Sequence, residues 1–120
     1  MSNDIVFRQA TAQDAEDFYG RRPLFSFKGY TAEYHGDVVG LGGIYYQNDL
    51  PVAFTDMAAP MRRDKRACAR ACRLLTEHFD ELGHPVYAVP EPTSVKLLAK
   101  LGFRPTGRIT TLGELLVRTR

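Results

Sequence analysis

The sequence predicts an α/β (α+β) fold, a mixed sheet with helices on its faces in the order β-α-β-β-β-α-β-α-β. Short runs of β-branched and aromatic residues recur between turn signals, as in strands. Two stretches have apolar residues three and four apart, as in amphipathic helices. A strand, a long helix and a second strand in succession indicate a right-handed parallel crossover. We expect residues 1–120 to form one domain, because this is a common size for a single core.

The elements are justified in chain order by their apolar spacing and their end signals. Thr11 offers an N-cap to the first helix, with Asp14 at the capping-box position, and Gly20 ends that helix. The polar turn at residues 35–37 indicates an antiparallel hairpin. The predicted elements are the strand Ile5–Gln9, the helix Ala12–Tyr19, the strands Lys28–Tyr34, Val38–Tyr46 and Pro51–Met57, a helix from about Asp64 to Leu82, the strand Pro85–Val89, a helix from Pro92 to Gly102, and the strand Ile109–Val117.

Composition excludes several classes of protein. Hydrophobic residues make up 44% of the chain and charged residues 25%, which is ordinary for a globular protein. No apolar run reaches membrane-spanning length and the N-terminus does not resemble a signal peptide, so we expect a cytoplasmic protein without a membrane partner. Cys68 and Cys72 lie four apart on one helix, which favours two small buried side chains over a disulfide. The three histidines form no metal motif with them, so no metal is predicted.

Cations crowd the start of the longest helix. Six Lys or Arg fall within twelve residues, and they are Arg62, Arg63, Lys65, Arg66, Arg70 and Arg73. Cations oppose the helix dipole at an N-terminus, so a bound phosphate or pyrophosphate would explain them. A solvated basic face is the alternative. Nucleic-acid binding is disfavoured, because the net charge is only +2 and no aromatic residues are interleaved with the cations.

The order of elements, with two local patterns, resembles the GNAT superfamily of acyl-CoA-dependent N-acetyltransferases. One pattern is similar to the family's Q/R-x-x-G-x-G/A motif, read either from Arg62 to Ala67 or from Arg63 to Cys68. The other, Ser94–Phe103, is similar to the family's helix that ends in Lys-x-Gly-Phe. The glycine-bearing strand Val38–Tyr46 and the opening Phe7–Asp14 also fit the family's pattern.

The resemblance implies an acyl-CoA N-acyltransferase fold and transfer of an acetyl group from acetyl-CoA to an amine, a small molecule or a peptide, of unknown identity. It implies that the pyrophosphate contacts the motif residues, which are Arg62, Arg63, Asp64, Lys65, Arg66, Ala67 and Cys68. It also implies that backbone amides around Met57, Ala58 and Ala59 hold the pantetheine arm and the thioester carbonyl.

Side chains for proton transfer are predicted less directly. Asp56 is the nearest carboxylate to that region and is predicted to act as the general base, although a structural Asp at a strand end fits as well. Tyr87 is predicted to act as a displaced general acid, with Tyr45 and Tyr46 as alternatives, and each also fits as a core or rim aromatic. His35 and His84 lie at loop ends and are weaker candidates.

Three departures from the family pattern bear on activity. Lys65 or Arg66 stands where the first motif glycine is expected, and Leu98 stands where the family often has a tyrosine. The region 20–27 is too short for a second full helix. The alternative is therefore a catalytically inactive GNAT-like binding or structural protein, of the kind also found among phage-encoded proteins. The short cleft and the apolar loop residues Leu24, Phe25 and Phe27 favour a homodimer.

Overall fold

Seven strands and four helices form the part of the chain that the computed structural model describes, which is residues 5–22, 26–89, 95–111 and 113–119. The strands are β1 (Ile5–Gln9), β2 (Phe27–Tyr34), β3 (Asp37–Gln47), β4 (Leu50–Met57), β5 (Val86–Ala88), β6 (Arg104–Thr110) and β7 (Gly113–Arg118). The helices are α1 (Ala12–Tyr19), α2 (Ala59–Arg63), α3 (Lys65–Leu82) and α4 (Val95–Lys100).

The strands form one mixed sheet in the order β1-β2-β3-β4-β5-β7-β6. Among the strands described, β4 and β5 form the one parallel pair, joined through α2 and α3, and the other neighbours are antiparallel. This confirms the predicted mixed sheet and its parallel crossover.

Both hairpin turns of the β2–β4 meander use left-handed backbone. His35 and Gly36 have φ of 51° and 86°, and Asn48 and Asp49 have φ of 51° and 65°. Two consecutive residues with positive φ make the type I′ turn, whose twist matches that of the flanking strands. Asn, Asp and Gly adopt this conformation most readily, which is why these short polar segments turn the chain.

The structure corrects the predicted element order in two places. The segment expected to be only a turn after β4 contains the short helix α2, with Pro60 in its first turn, where proline is tolerated. The single last strand predicted from Ile109 to Val117 is a hairpin of β6 and β7, which meet at the pair Thr110–Gly113. The predicted helix start at Pro92 and the loop residues Leu24 and Phe25 lie outside the described residues. Phe27, predicted in the same loop, is instead the first residue of β2, and its ring packs edge-on against Phe54.

A buried ion-pair network fastens α1 to the sheet. The Asp14 carboxylate accepts two hydrogen bonds of 2.7 Å from Arg8 and one of 2.7 Å from the Thr11 amide, and Thr31 donates a further bond of 3.0 Å. Thr11 in turn accepts from the Asp14 amide, so the predicted capping box is present. The Arg8 guanidinium, chiefly, holds the pKa of Asp14 well below its usual range.

The opposite face of the sheet carries α3 and α4 over most of the core. Phe79 of α3 packs edge-on against Phe103, and both are buried with Leu75, Leu98 and Leu101. Gly102 follows α4 with φ of 95°, and the Phe103 amide donates to the Leu98 carbonyl at 3.0 Å. The Lys-x-Gly-Phe pattern is therefore a helix ending, with a left-handed glycine and an anchoring aromatic.

Candidate functional site

The end of β4 leaves backbone groups that β3 does not use. Ala58 donates its amide to the Val39 carbonyl at 2.8 Å. This bond shows that Ala58, and every second residue before it in β4, directs its backbone groups toward β3. Bonds to one neighbour alternate along an antiparallel strand, so Thr55 and Met57 direct their N–H and C=O groups away from β3, toward β5. Because β5 pairs with β4 only at Val52–Tyr87, β4 runs beyond β5 at this end. A gap therefore opens in the sheet beside Thr55 and Met57.

Two cavities meet at this gap. The first, which we call the apolar cavity, has a volume of about 400 Å³ and lies between the sheet and α3, with Gly42 and Ala71 on opposite walls. The second, which we call the cleft, has about 500 Å³ and is lined by Tyr45, Phe54, Tyr87 and the end of the β6 strand. Thr55 and Asp56 line both. A molecule that crosses the sheet here would contact both spaces.

Asp56 lies on the α1 face of the sheet. Thr31 contacts Asp14 of α1, Leu41 is directly opposite Thr31, and Asp56 is directly opposite Leu41, so these side chains share one face. The hydroxyl of Tyr19, at the end of α1, donates a short hydrogen bond to the Asp56 carboxylate. Partial burial, with this hydrogen bond, raises the pKa of Tyr19 above its usual range. The carboxylate is thereby oriented from α1.

The predicted aromatic and histidine candidates fall into two groups. Tyr87 and Tyr45 line the cleft, and both are level with Val52, which is four residues or about 13 Å from Asp56 along β4. Burial raises the pKa of Tyr45. Tyr46 is exposed at the far end of β3, where its hydroxyl lies 3.5 Å from His84 Nε2. The last candidate, His35, lies in the β2–β3 turn and packs against Tyr34.

The six cations predicted at the start of the longest helix also divide into groups, and the structure corrects their placement, because Arg62 and Arg63 lie in the last turn of α2. Arg70 donates to the Ile5 carbonyl at 2.9 Å and lies over the Phe7 ring, so it fastens α3 to β1. The remaining five are exposed, and the described part of the chain offers none of them a carboxylate partner within ion-pair distance: Arg62, Arg63, Lys65, Arg66 and Arg73. Arg62 also lines the apolar cavity. Four of these five lie together beside the end of β4, and we call Arg62, Arg63, Lys65 and Arg66 the basic segment.

The backbone amides in the basic segment are largely engaged within the chain. Met61 and Arg62 donate to the Ala58 carbonyl at 3.1 Å, and Asp64 donates to Met61. The Asp64 side chain caps α3 by accepting from the Ala67 amide at 3.0 Å, and Cys68 donates to the Asp64 carbonyl. The first two amides of α3, those of Lys65 and Arg66, have no acceptor within a helix. An anion here would therefore meet cationic side chains and two amides.

Both cysteines are free thiols, as predicted, but they are half-buried on the wall of the apolar cavity and not buried in the core. Cys68 Sγ lies 3.3 Å from the Met61 carbonyl and so connects α2 to α3. Burial raises the pKa of both thiols, which keeps them protonated and poor nucleophiles. No group of three or more His, Cys, Asp or Glu side chains that could hold a metal occurs among the described residues.

The chain resembles solved acetyltransferase structures over nearly its whole length. A phosphinothricin acetyltransferase of the GNAT superfamily from Sinorhizobium meliloti, crystallised with acetyl-CoA, superposes with a TM-score of 0.68 at 17% identity, covering 96% of this chain and 88% of that one. An N-acetyltransferase from Staphylococcus aureus Mu50 gives a TM-score of 0.68 at 14% identity, covering 96% of each chain. The chain has the GNAT fold.

A third relative by structure is the aminoglycoside acetyltransferase AAC(6')-Ib in complex with coenzyme A, with a TM-score of 0.64 at 19% identity over 97% of this chain and 95% of that one. The sequence matches no protein-family model and no curated protein. At these sequence identities the structural likeness establishes the GNAT fold. The roles of individual residues follow only from the geometry of this chain. Within the described residues, no helix is long and apolar enough to span a membrane.

Within this GNAT fold, Leu98 occupies the position that the sequence comparison assigned to a tyrosine. Its side chain is 6% exposed and belongs to the apolar core. No proton donor is therefore available at that point of α4.

Two site residues were not expected from the sequence. Tyr19 had no role beyond ending the predicted first helix, yet its hydroxyl reaches Asp56, which is 37 residues away. Thr55 was part of a strand with no assigned role, yet it lines both cavities. A tyrosine in the last turn of a short helix carries a weak signal, because its polar end can reach a partner while its ring packs. No feature of the sequence indicated which residues of β4 direct their backbone groups toward β3 and which direct them away.

Proposed function

We propose that this chain is an acetyl-CoA-dependent N-acetyltransferase that acts on an amine. The observation that carries the proposal is the meeting of the two cavities at Thr55 and Asp56, beside the gap between β4 and β5. Bound there, acetyl-CoA would supply an activated thioester carbonyl. The residues of this chain would bind it, orient it and move protons around it.

The basic segment fits the phosphates of coenzyme A. Arginine and lysine side chains without carboxylate partners are suited to bind a pyrophosphate, which an arginine can contact through two parallel hydrogen bonds. The glycine expected in the motif is replaced by Lys65 or Arg66, and the neighbouring amides are engaged by Ala58, Met61 and Asp64. We therefore propose that side chains supply most of the phosphate contacts in this chain.

Two backbone amides fit the thioester end. Those of Thr55 and Met57 point into the gap, where a carbonyl oxygen that gains negative charge would accept from them. The same groups can bond the amides of the pantetheine arm, much as a neighbouring strand would. Of the three predicted residues, Met57 directs its amide into the gap and Ala58 donates its amide to β3, while the Ala59 amide belongs to the first turn of α2.

The cleft fits the amine acceptor. Asp56 would accept a proton from the incoming ammonium group, and Tyr19 would act as a positioning residue that holds the carboxylate in place. The neutral nitrogen then forms a bond to the carbonyl carbon and releases its second proton to water, and the carbon–sulfur bond breaks so that the thiolate leaves with the electron pair. Water, or Tyr87 in the cleft, would donate a proton to the thiolate.

Thiol release from acetyl-CoA in the presence of a panel of amines tests this proposal. We expect Asp56→Asn to lower kcat/KM by roughly 10²-fold, in the range usual for loss of a general base. Tyr19→Phe should lower kcat by about tenfold and leave the KM for acetyl-CoA unchanged, because it orients a group that acts in the chemical step. Asp37→Asn and Tyr46→Phe are matched controls at the far ends of β3 and should have no effect.

A non-catalytic GNAT-like binding protein is the second candidate. It is favoured by the buried Leu98 and by Asp64, whose carboxylate lies at the helix start where a phosphate would bind. Binding of coenzyme A without turnover of any amine would support this candidate. Turnover that depends on Asp56 would exclude it.

A further inference from the structure

A β-bulge in the β6–β7 hairpin sets the position of Arg108. The pairing of β6 with β7 shifts between Pro105 and Ile109, and Gly107 within this segment has φ of 84°, a conformation that glycine adopts without strain. Bulges bend a strand locally and change the direction of the side chains beside them. Arg108 directly follows Gly107, and it lines the cleft.

Hydrogen bonds between the two strands hold this bulge. The Thr106 hydroxyl donates to the Leu115 carbonyl at 2.7 Å and accepts from the Arg108 amide at 3.1 Å. The Glu114 carboxylate accepts from the Gly107 amide at 3.2 Å. The backbone of Arg108 is therefore fixed from β7, while the residue itself stays exposed at the cleft.

The cleft combines one cation and one anion with an apolar wall. In the part of the chain that the structure describes, Arg108 and Asp56 are the two charged residues that line it. No carboxylate among those residues lies within ion-pair distance of Arg108. The half-buried rings of Tyr45, Phe54 and Tyr87 supply much of the remaining wall. An acceptor with several positive charges would find one carboxylate here and would be repelled by Arg108.

The pairing of the strands gives the spacing between the two charged residues. Followed through β5 and β7, it places Ile109 of β6 level with Thr55 of β4. Three strand spacings separate β4 from β6, which amounts to about 14 Å. Asp56 and Arg108 are the neighbours of these two residues along their strands, and both line the cleft. A molecule shorter than this distance can therefore contact both charged groups.

We propose that the acceptor of this chain carries a negatively charged group at the end opposite its amine, and that Arg108 binds this group while Asp56 receives the amine. The inference rests on the proposed function, because it takes the amine to react beside Asp56. A carboxylate or phosphate can accept two parallel hydrogen bonds from a guanidinium group. An extended chain of about eight bonds spans about 10 Å, so an ω-amino acid of eight carbons or a tripeptide has a suitable length.

Acetyl transfer to three amines of equal length tests the inference on the intact chain. The amines 8-aminooctanoate, 8-aminooctanamide and 1,8-diaminooctane differ only in whether the far end is negative, neutral or positive. We expect kcat/KM for 8-aminooctanoate to exceed that for the amide by about tenfold, with the diamine lowest. The difference should lie in KM, because the far end is bound equally in the ground state and the transition state.

Variants of Arg108 locate the charge that makes this selection. Arg108→Gln should make 8-aminooctanoate and 8-aminooctanamide equal as acceptors, and Arg108→Glu should reverse the order so that the diamine is preferred. Arg104→Gln is the matched control, because Arg104 is an exposed cation of the same strand that does not line the cleft. It should retain the native order of the three amines. Thermal unfolding of each variant checks that the fold is kept.

The outcomes separate this inference from the proposed function. Equal kcat/KM for the three amines overturns the inference and leaves acetyl transfer intact, and so does a native order that Arg108→Gln leaves unchanged. If no amine is acetylated, calorimetric titration with the same amines in the presence of coenzyme A decides. Tighter binding of 8-aminooctanoate that Arg108→Gln abolishes would support the anion site and overturn only the reaction. Equal binding of the three amines, or none, would then overturn both proposals.

Discussion

Arg8 and the basic segment use the same kinds of side chain in opposite ways. The Arg8 guanidinium contacts both Asp14 and Glu33, and Asp14 is only 4% exposed. In the basic segment, four cations are exposed and have no carboxylate partner in the part of the chain described. Arg8 joins β1, β2 and the start of α1, whereas the basic segment adjoins the end of β4 and the apolar cavity.

The difference separates charge that stabilises the fold from charge that is available to a ligand. A buried carboxylate must be paired, because an unpaired one costs several kcal/mol. The stability of the fold is therefore sufficient reason for Arg8 to lie beside Asp14. The exposed like charges of the basic segment repel one another, and Lys65 and Arg66, in the first turn of α3, also oppose the dipole of that helix. Arg62 and Arg63 lie in the last turn of α2, where the dipole favours cations, so only the mutual repulsion acts against them. A bound anionic ligand would attract these cations, and their electrostatic contribution would then be favourable. The predictions below test this separation, from the largest expected effect to the smallest.

The first prediction concerns the Arg8–Asp14 pair. Asp14→Asn should lower the free energy of unfolding by about 2 kcal/mol at neutral pH, because the buried Asp14 carboxylate loses charge-assisted hydrogen bonds from Arg8 and the capping box is weakened. Asp17→Asn, on the exposed side of the same helix, should change it by less than about 0.5 kcal/mol. Urea unfolding of both variants measures the two values. Equal stability of the two variants would contradict a structural role for Arg8.

The same pair predicts a pH dependence. The pKa of Asp14 is lowered by folding, so its contribution to stability is fully present above its unfolded value, near pH 4, and is lost as the pH falls through the folded value. The stability difference between the native chain and Asp14→Asn should therefore be constant from about pH 5 to 8 and should shrink in acid. Urea unfolding at a series of pH values measures this, and a difference that grows in acid would contradict the assignment.

The smallest effects are predicted at Asp64, which caps α3 inside the basic segment. Asp64→Ala should lower the free energy of unfolding by about 1 kcal/mol through loss of the cap. Asp64→Ser retains a capping oxygen and removes the negative charge, so stability should change little while the Kd for coenzyme A falls severalfold. Thermal unfolding and calorimetry measure the two effects. An unchanged Kd in Asp64→Ser would mean that the phosphates bind away from α3.

Local signals allowed much of this fold to be predicted from the sequence. The bounds of β1 and α1 follow from turn residues and a capping box, and the left-handed turn at residues 35–36 follows from a polar pair that ends in glycine. The short helix α2 was missed, because five residues around a proline carry too little periodicity to indicate a helix. The β6–β7 hairpin was read as one strand interrupted by Gly113, although that glycine is the first residue of β7.

The candidate site could be predicted only in its local parts. The cations and Asp56 stand out from residue type and position, but the contact between Tyr19 and Asp56 joins elements 37 residues apart, so sequence spacing did not reveal it. Whether the backbone N–H and C=O groups of Thr55 and Met57 bond to β3 depends on how β3 and β4 are paired. Side-chain patterns determine that pairing only together with the other strands of the sheet. The apolar cavity depends on small residues of β3 and α3 meeting across the fold.

We propose that the basic segment binds the phosphates of coenzyme A through its side chains. The most direct test is calorimetric titration with coenzyme A of the native chain and of Arg63→Gln/Arg66→Gln, at low and at physiological salt. Arg73→Gln/Arg104→Gln removes two exposed cations elsewhere and serves as the control. The account predicts binding that weakens at least about tenfold in the first variant, with a reduced salt dependence, and unchanged binding in the control. Equal binding by all three proteins, or none by the native chain, would contradict it.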